Sequence, residues 1–214
     1  MAADKQPTDV RQDEIARAAL ELVGTMGMKG LSMASIAKKV GIVPSGIYRH
    51  FRNKDDVINA ILDYLQRELT NNIAKISDMP GTALEQLHLL LLKHVALLSQ
   101  NKSLPSVIFS TEVYNGKPSR RIKLRGIIKP YLSAVESLIE QGQQAGTIRK
   151  EMDPKTVAVM FLGLIQPSTI LWHLSDGTYD AMLQAKTAWP IFRRAIVPDS
   201  ILQSKRRHVD EKCI

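Results

Sequence analysis

The sequence predicts an all-α protein of about nine helices. Apolar residues recur at three- and four-residue spacing along most of the chain, which is the period of one helical face. Gly and Pro punctuate that pattern where helices should begin and end. Aromatic residues make up only 5% of the 214 residues while Leu, Ala, Ile and Met abound, and no stretch alternates apolar with polar as a half-buried strand does.

Asp9 is placed to cap the first helix, whose inner face is Ile15, Ala19, Leu20 and Val23, and Gly27 and Gly30 should end it. Ser32 is a candidate N-cap for a short helix over residues 33–40, with Ile36, Ala37 and Val40 inward and Gly41 at its C-cap. Pro44 suits the first turn of a third short helix running to Phe51, in which Ile47 and Phe51 face inward together. Asn53 and Asp56 resemble a capping box opening a long fourth helix, striped by Ile58, Ile61, Leu62, Leu65, Leu69, Ile73 and Ile76. Pro80-Gly81 breaks it. Thr82 and Glu85 form a second capping-box pattern, for a helix reaching Gln100. A shorter helix should cover 104–114, and Asn115-Gly116-Lys117-Pro118 reads as a turn. A long helix over 119–145 turns Ile127, Ile128, Tyr131, Val135, Leu138 and Ile139 inward, and Gly146-Thr147 closes it. Asp153-Pro154 opens a helix to about Leu174 that should kink or break at Pro167. Asp176-Gly177 makes a turn before a last helix over 179–196, irregular at Pro190. A polar tail, 198–214, holds Lys205-Arg206-Arg207.

The formal net charge of +8 suits a polyanionic partner, and its location sharpens the point. Between positions 29 and 54 the charged residues are Lys29, Lys38, Lys39, Arg49, Arg52 and Lys54, with no acid, a local net charge of +6. Two short helices joined by a Gly-containing turn make a helix-turn-helix. Ala37 falls where the helices cross, Gly41 makes the turn, and Val40 and Ile47 seal a miniature core. The remaining faces stay polar, as a groove-facing helix requires. Each phosphate neutralised there would add salt-dependent affinity.

The single cysteine, Cys213, leaves no disulfide framework within the chain, which suits a reducing compartment. The N-terminus has no apolar signal core. The longest apolar runs, 87–98 and 157–165, fall short of the ~18–20 residues of a membrane span. The expectation is a cytoplasmic protein that does not engage a membrane. No nucleophile–base pair, Gly-rich phosphate loop or metal cluster is visible, and His88 and His94, six apart, do not share a helical face. An enzyme, a cofactor and a metal site are not expected.

The segment from Ser45 through Gly46, Ile47, Tyr48, Arg49, His50, Phe51, Arg52 and Asn53 to Lys54 resembles the Tyr-x-His-Phe-x-x-Lys signature of TetR-type repressors. The preceding 32–42 resembles the same family's first motif helix, and the resemblance covers roughly 9–62. It implies a three-helix DNA-binding domain over 9–56 and a helical ligand-binding and dimerisation domain over 57–197. It also implies roles. Tyr48, His50 and Lys54 would bond phosphates. Val43, Pro44, Ser45, Gly46 and Arg49 would face the major groove or its edge, with Arg49 suited to guanine readout or to phosphate. Ser32 would cap its helix and could donate to phosphate. The last two long helices would pair with their copies, with Phe161, Leu164, Ile165, Leu171, Trp172, Met182, Trp189 and Phe192 as apolar bulk. A two-fold dimer would present two recognition helices about one turn, 34 Å, apart to a near-palindromic operator. Candidate pocket residues are Phe109, Glu112, Tyr131, Gln166, Thr169 and His173, for a small, largely apolar effector. The basic run Lys117, Arg120, Arg121, Lys123, Arg125 and Lys129 reads as a solvated helical face. The function implied is a ligand-responsive repressor, with the fourth helix as lever; an activator with the same DNA-binding head is the alternative.

Overall fold

A computed structural model describes residues 8–114, 116–175 and 178–201, with side chains for all of these except Thr8, Asp9 and His173. The Asn115 and Asp176-Gly177 turn positions, the His173 side chain, Cys213 and the Lys205-Arg206-Arg207 tail lie outside them, and Asp9, expected to cap the first helix, falls inside it, one residue after its start at Thr8. Among the described residues there are eleven helices and no strand: α1 (Thr8–Gly30), α2 (Met33–Val40), α3 (Pro44–Ile47), α4 (Lys54–Ser77), α5 (Ala83–Gln100), α6 (Leu104–Ile108), α7 (Thr111–Tyr114), α8 (Pro118–Gln144), α9 (Pro154–Gly163), α10 (Gln166–Leu174) and α11 (Ala181–Ile196).

Two expected helices are each split, which accounts for eleven rather than nine. The segment 104–114 is interrupted at Phe109-Ser110, where the Ser110 hydroxyl donates to the Val107 carbonyl and the Val113 amide donates to the Ser110 hydroxyl. The segment after Asp153 breaks between Gly163 and Gln166. Pro167 has no N–H, and its ring excludes the carbonyl four residues back, which is that of Gly163. Gly27 takes φ 66° and ψ 177°, so α1 kinks there, where the sequence expects its end, and a last short stretch carries it to Gly30. Pro130, which the sequence pattern does not flag, lies inside α8 and removes one helical bond, to the Gly126 carbonyl.

The chain divides into two compact units, Met1–Glu68 with Gln100–Ile127, and Leu69–Ser99 with Ile128–Ile214. This division by packing places α6, α7 and the start of α8 with the helix-turn-helix, so it does not follow the sequence boundary at 56–57. In the first unit α1 packs on α2 and α6. Its core is Ile15, Ala19, Leu20, Val23, Ile36, Ala37, Ile47, Phe51, Ile58 and Ile61, all buried. Gly24 allows the approach to α6, since a Cβ there would collide with the Ser103 hydroxyl. The Tyr64 hydroxyl meets the Asn101 side chain at 3.2 Å, and the Arg17 guanidinium lies over the Tyr64 ring.

The second unit is built on Leu87, Leu90, Leu91 and Val95 of α5, Val135 and Ile139 of α8, Phe161 of α9, and Trp189 and Phe192 of α11, all buried. Thr82 and Glu85 form the expected reciprocal cap at the start of α5. Asp153 and Asp180 cap α9 and α11 by accepting from the Thr156 and Leu183 amides. The His88 ring stacks parallel on Trp189, centroids 4.8 Å apart.

One expectation is corrected here. Phe161, Ile165, Trp189 and Phe192, read as bulk for pairing with a second copy, are buried within the chain itself. Of the expected set Leu171 is exposed, and the other apolar side chains that α9–α11 expose are Val159, Met160, Ile170, Leu183, Leu174 at 75% and Ile191 at 74%. The stretch Pro154–Trp172, 19 residues, is long and apolar enough by composition to cross a membrane, which corrects the expectation that the apolar runs fall short of one. It is two helices, α9 and the first part of α10, with a break between them.

Candidate nucleic-acid interface

The interface is assembled from the turn between α2 and α3. The Ser32 hydroxyl accepts from the Ser35 amide at 3.1 Å, and the Ser35 hydroxyl accepts from the Ser32 amide at 2.9 Å, a complete capping box at the start of α2. At its end Gly41 takes φ 73°, and the Ile42 amide reaches back to the Ala37 carbonyl at 3.0 Å. That left-handed conformation is what reserves the position for glycine. Val43 is extended, as the residue before a proline should be, and Pro44 starts α3. Regular helix ends at Ile47 rather than at Phe51. Turn bonds carry the chain on, with the His50 and Phe51 amides both donating to the Ile47 carbonyl.

Ile47 and Phe51 are buried, which fixes the direction of everything between them. Val43 is 68% exposed and Tyr48 55%, and Pro44, Ser45 and Arg49 are exposed as well. Gly46 is half-buried; a Cβ there would meet Val43 at an ordinary 3.6 Å, so its backbone does not require glycine. His50 is half-buried, with Nδ1 inward and without a partner, and its carbonyl accepts from the Gln12 side chain of α1 at 3.2 Å. Lys54 donates to the Met28 carbonyl at 2.7 Å, tying the start of α4 to the end of α1 and leaving two of its three donors for other partners. Of the basic residues in this segment, Lys39 pairs with Glu21 at 2.9 Å and Arg52 with Asp56 at 3.0 Å. Asn53 caps α4 by accepting from the Asp56 amide at 3.0 Å. The Asp56 carboxylate turns to the Arg52 amide, so the expected box is only half formed.

The basic run after Tyr114 divides into two faces. Arg121, Arg125 and Lys129, four apart, are exposed as expected. Arg120 is not: it is only 4% exposed, donates from Nη1 to the Glu112 carbonyl at 2.9 Å and from Nη2 to the Asp55 carboxylate, and keeps a buried Nε without a partner. Lys117 also bonds Asp55, and Lys123 bonds Asp63 at 2.7 Å. Spacing held a signal. Residues 117, 120 and 123 are three apart, as one face of a helix requires, against acids on α4. The hydrogen bond from Lys117, and then the charge of Arg120, holds the Asp55 carboxyl below its ordinary pKa.

The proposed pocket residues are differently placed. Phe109 and Glu112 belong to the first unit. Phe109 is exposed and stacks with Tyr114 at 6.1 Å, and Glu112 is half-buried, with its carbonyl rather than its carboxylate engaged by Arg120. In the second unit Tyr131 is buried, Gln166 is exposed, and the buried Thr169 hydroxyl donates to the Gln166 carbonyl at 2.7 Å. The Tyr131 hydroxyl lies 2.9 Å from Nδ1 of His94, whose spacing from His88 in the sequence speaks only against a metal site. Among the described residues no cluster of His, Cys, Asp and Glu could hold a metal.

A helix-turn-helix with its polar and basic face outward, followed by a larger helical region, defines a DNA-binding transcriptional regulator. Comparison with known proteins agrees. The model of bacterial regulatory proteins of the tetR family matches residues 15–61, and that of the YsiA-like protein C-terminal region matches 61–195. The chain belongs to the tetR family. The fatty acid metabolism regulator protein of Bacillus subtilis is 26% identical over 167 residues, covering 78% of this chain and 86% of that protein. The crystal structure of the transcriptional regulator FadR from Bacillus subtilis, in complex with stearoyl-CoA, superposes with TM-score 0.72 at 26% identity, covering 86% of this chain and 97% of that one. AibR, solved with isovaleryl coenzyme A and operator DNA, shares the fold at TM-score 0.66 and 24% identity, covering 85% of this chain and 97% of its own. These relatives are regulators, not enzymes.

Proposed function

We propose that this chain is a cytoplasmic, homodimeric repressor that occupies a near-palindromic operator and is released by a long-chain acyl-CoA thioester. The observation that carries the DNA half is the exposed face from Val43 to Arg49, held rigid by buried Ile47 and Phe51, inside a segment of local charge +6. On this reading Val43, Pro44, Ser45, Gly46 and Arg49 meet the major groove. Tyr48, the outward edge of His50, the free donors of Lys54 and the Ser32 hydroxyl meet phosphates. The DNA-binding domain is 9–56 and the effector and pairing domain 57–197.

The effector half rests on the 26% identical regulator solved with stearoyl-CoA. An acyl chain would suit the apolar second unit, with Tyr131, Gln166, Thr169 and His173 as the candidate contacts. The pairing half rests on the apolar side chains left outward on α10 and α11, Leu174 and Ile191 foremost, which a second copy would cover. Ligand release follows if DNA and thioester favour different spacings of the paired recognition helices, so that each weakens the other's binding. The test is the affinity of purified dimer for a selected duplex with and without stearoyl-CoA. A loss of about tenfold or more supports the repressor reading, and unchanged affinity at saturation removes the effector.

A further inference from the structure

The ion-paired surface between the start of α4 and the start of α8 lies within the first unit, alongside the helix-turn-helix. Asp55 is one residue beyond Lys54, in the first turn of α4. Its carboxylate is the meeting point of Lys117 and of the buried Arg120. Arg120 has a second bond, to the backbone of α7 at Glu112. A planar guanidinium that grips a carboxylate on one helix and a carbonyl on another fixes both in register, because its donors point in set directions. Burial raises the stakes. A guanidinium buried with one donor already unsatisfied tolerates little loss of its remaining bonds, so displacing either partner is costly. α8 then continues beyond this surface without a break in the chain, its helical bonding weakened nearly three turns beyond Arg120 by Pro130.

We propose that Arg120 is the coupling residue of this regulator, tying the N-terminal turn of α4 to α7 and the first turn of α8 so that DNA engagement and the packing of 111–123 are set together. The inference rests on the reading of the chain as a DNA-binding protein but needs no effector. Linkage makes it reciprocal: whatever DNA does to the start of α4 must be felt at α7 through this contact.

The test is hydrogen exchange by mass spectrometry on the full-length wild-type chain and the double variant Arg120→Met/Asp55→Asn. Each is measured with and without a random-sequence duplex pool at low ionic strength. Removing both charges together avoids stranding one of them in the interior. Arg120→Lys is the second variant, since it keeps the charge but loses the two-way fork and serves if the double variant does not fold. In wild type the duplex should slow exchange over 111–121 by about fivefold. In either variant the slowing over 44–54 should persist while that over 111–121 falls below about twofold. Equal slowing over 111–121 in wild type and variants, or none there in wild type despite DNA binding, overturns the coupling and leaves the DNA reading intact. A wild-type chain that ignores the duplex altogether overturns both.

Discussion

Nδ1 of His94 lies 2.9 Å from the Tyr131 hydroxyl oxygen, joining α5 to α8 inside the second unit, with the two rings edge to face at 85°. Burial drives the His94 pKa down to about 4 and pushes the Tyr131 phenol up, so both groups are neutral in the folded chain near pH 7. Unfolded, the histidine would titrate near its ordinary value of 6.5. Between these values the unfolded chain holds a proton that the folded chain lacks. Stability is therefore full above pH 6.5 and falls as the pH drops toward 4, by roughly 3 kcal/mol across the window. Urea unfolding at pH 7.5 and 5 should show about 2 kcal/mol of that loss in wild type and a smaller loss in His94→Phe. The same slope in both would mean that His94 is not its source. The His88 pKa is lowered too, by partial burial, and adds to the slope with the same sign.

Tyr131→Phe removes the partner of a buried ring nitrogen while keeping the ring. The expected cost is about 1–3 kcal/mol, that of an unsatisfied buried polar atom. Equilibrium denaturation checks it, and a neutral result would mean that a water replaces the hydroxyl.

Arg49→Ala and Tyr48→Phe should separate reading from holding. If Arg49 meets a guanine edge, its loss relaxes sequence preference by about 1–3 kcal/mol at one base pair. Loss of the exposed Tyr48 hydroxyl should weaken binding to all duplexes by a similar factor, about fivefold. Binding-site selection on each variant distinguishes the two. A uniform loss from Arg49→Ala would reassign that side chain to phosphate.

Gly46→Ala should part fold from function. The φ there is not left-handed and a Cβ has ordinary room, so the variant should be as stable as wild type or more so, by up to about 1 kcal/mol. A methyl group facing the groove should nonetheless weaken operator binding. Thermal unfolding and gel shift on one preparation test this, and an unaltered operator affinity would show that position 46 does not approach the DNA.

Ile191→Glu and Leu174→Glu place charges on the most exposed apolar side chains of α11 and α10. Within the chain neither needs burial, so folding should be retained. If a second copy covers them, sedimentation should show monomers and operator affinity should fall at least about a hundredfold, since one recognition helix cannot hold two half-sites. A dimer that survives both substitutions would move the pairing surface elsewhere.

The helix-turn-helix was legible because its determinants are local: a capping serine, a left-handed glycine, a proline at a helix start, and Ile47 and Phe51 four residues apart. The split after Gly163 was half legible, since Pro167 announced a break but its clash falls four residues earlier. What could not be read was tertiary. Nothing near Arg120 in sequence marks it as buried, because its partner Asp55 is 65 positions away and the surrounding bases look like an exposed face. Nor does composition separate Phe161 and Trp189, which fill the second unit, from Leu174 and Ile191, which are left outward. All four lie on apolar helices, and only packing decides which side faces in.

The central claim is that Pro44 to Phe51 docks into duplex DNA in two copies. Binding-site selection with the purified full-length chain, followed by titration of the recovered duplex at rising salt, tests it most directly. The account predicts an inverted repeat with half-sites about one helical turn apart and an affinity that falls steeply with salt. Recovery of no preferred sequence, together with indifference to duplex DNA at low ionic strength, would contradict it.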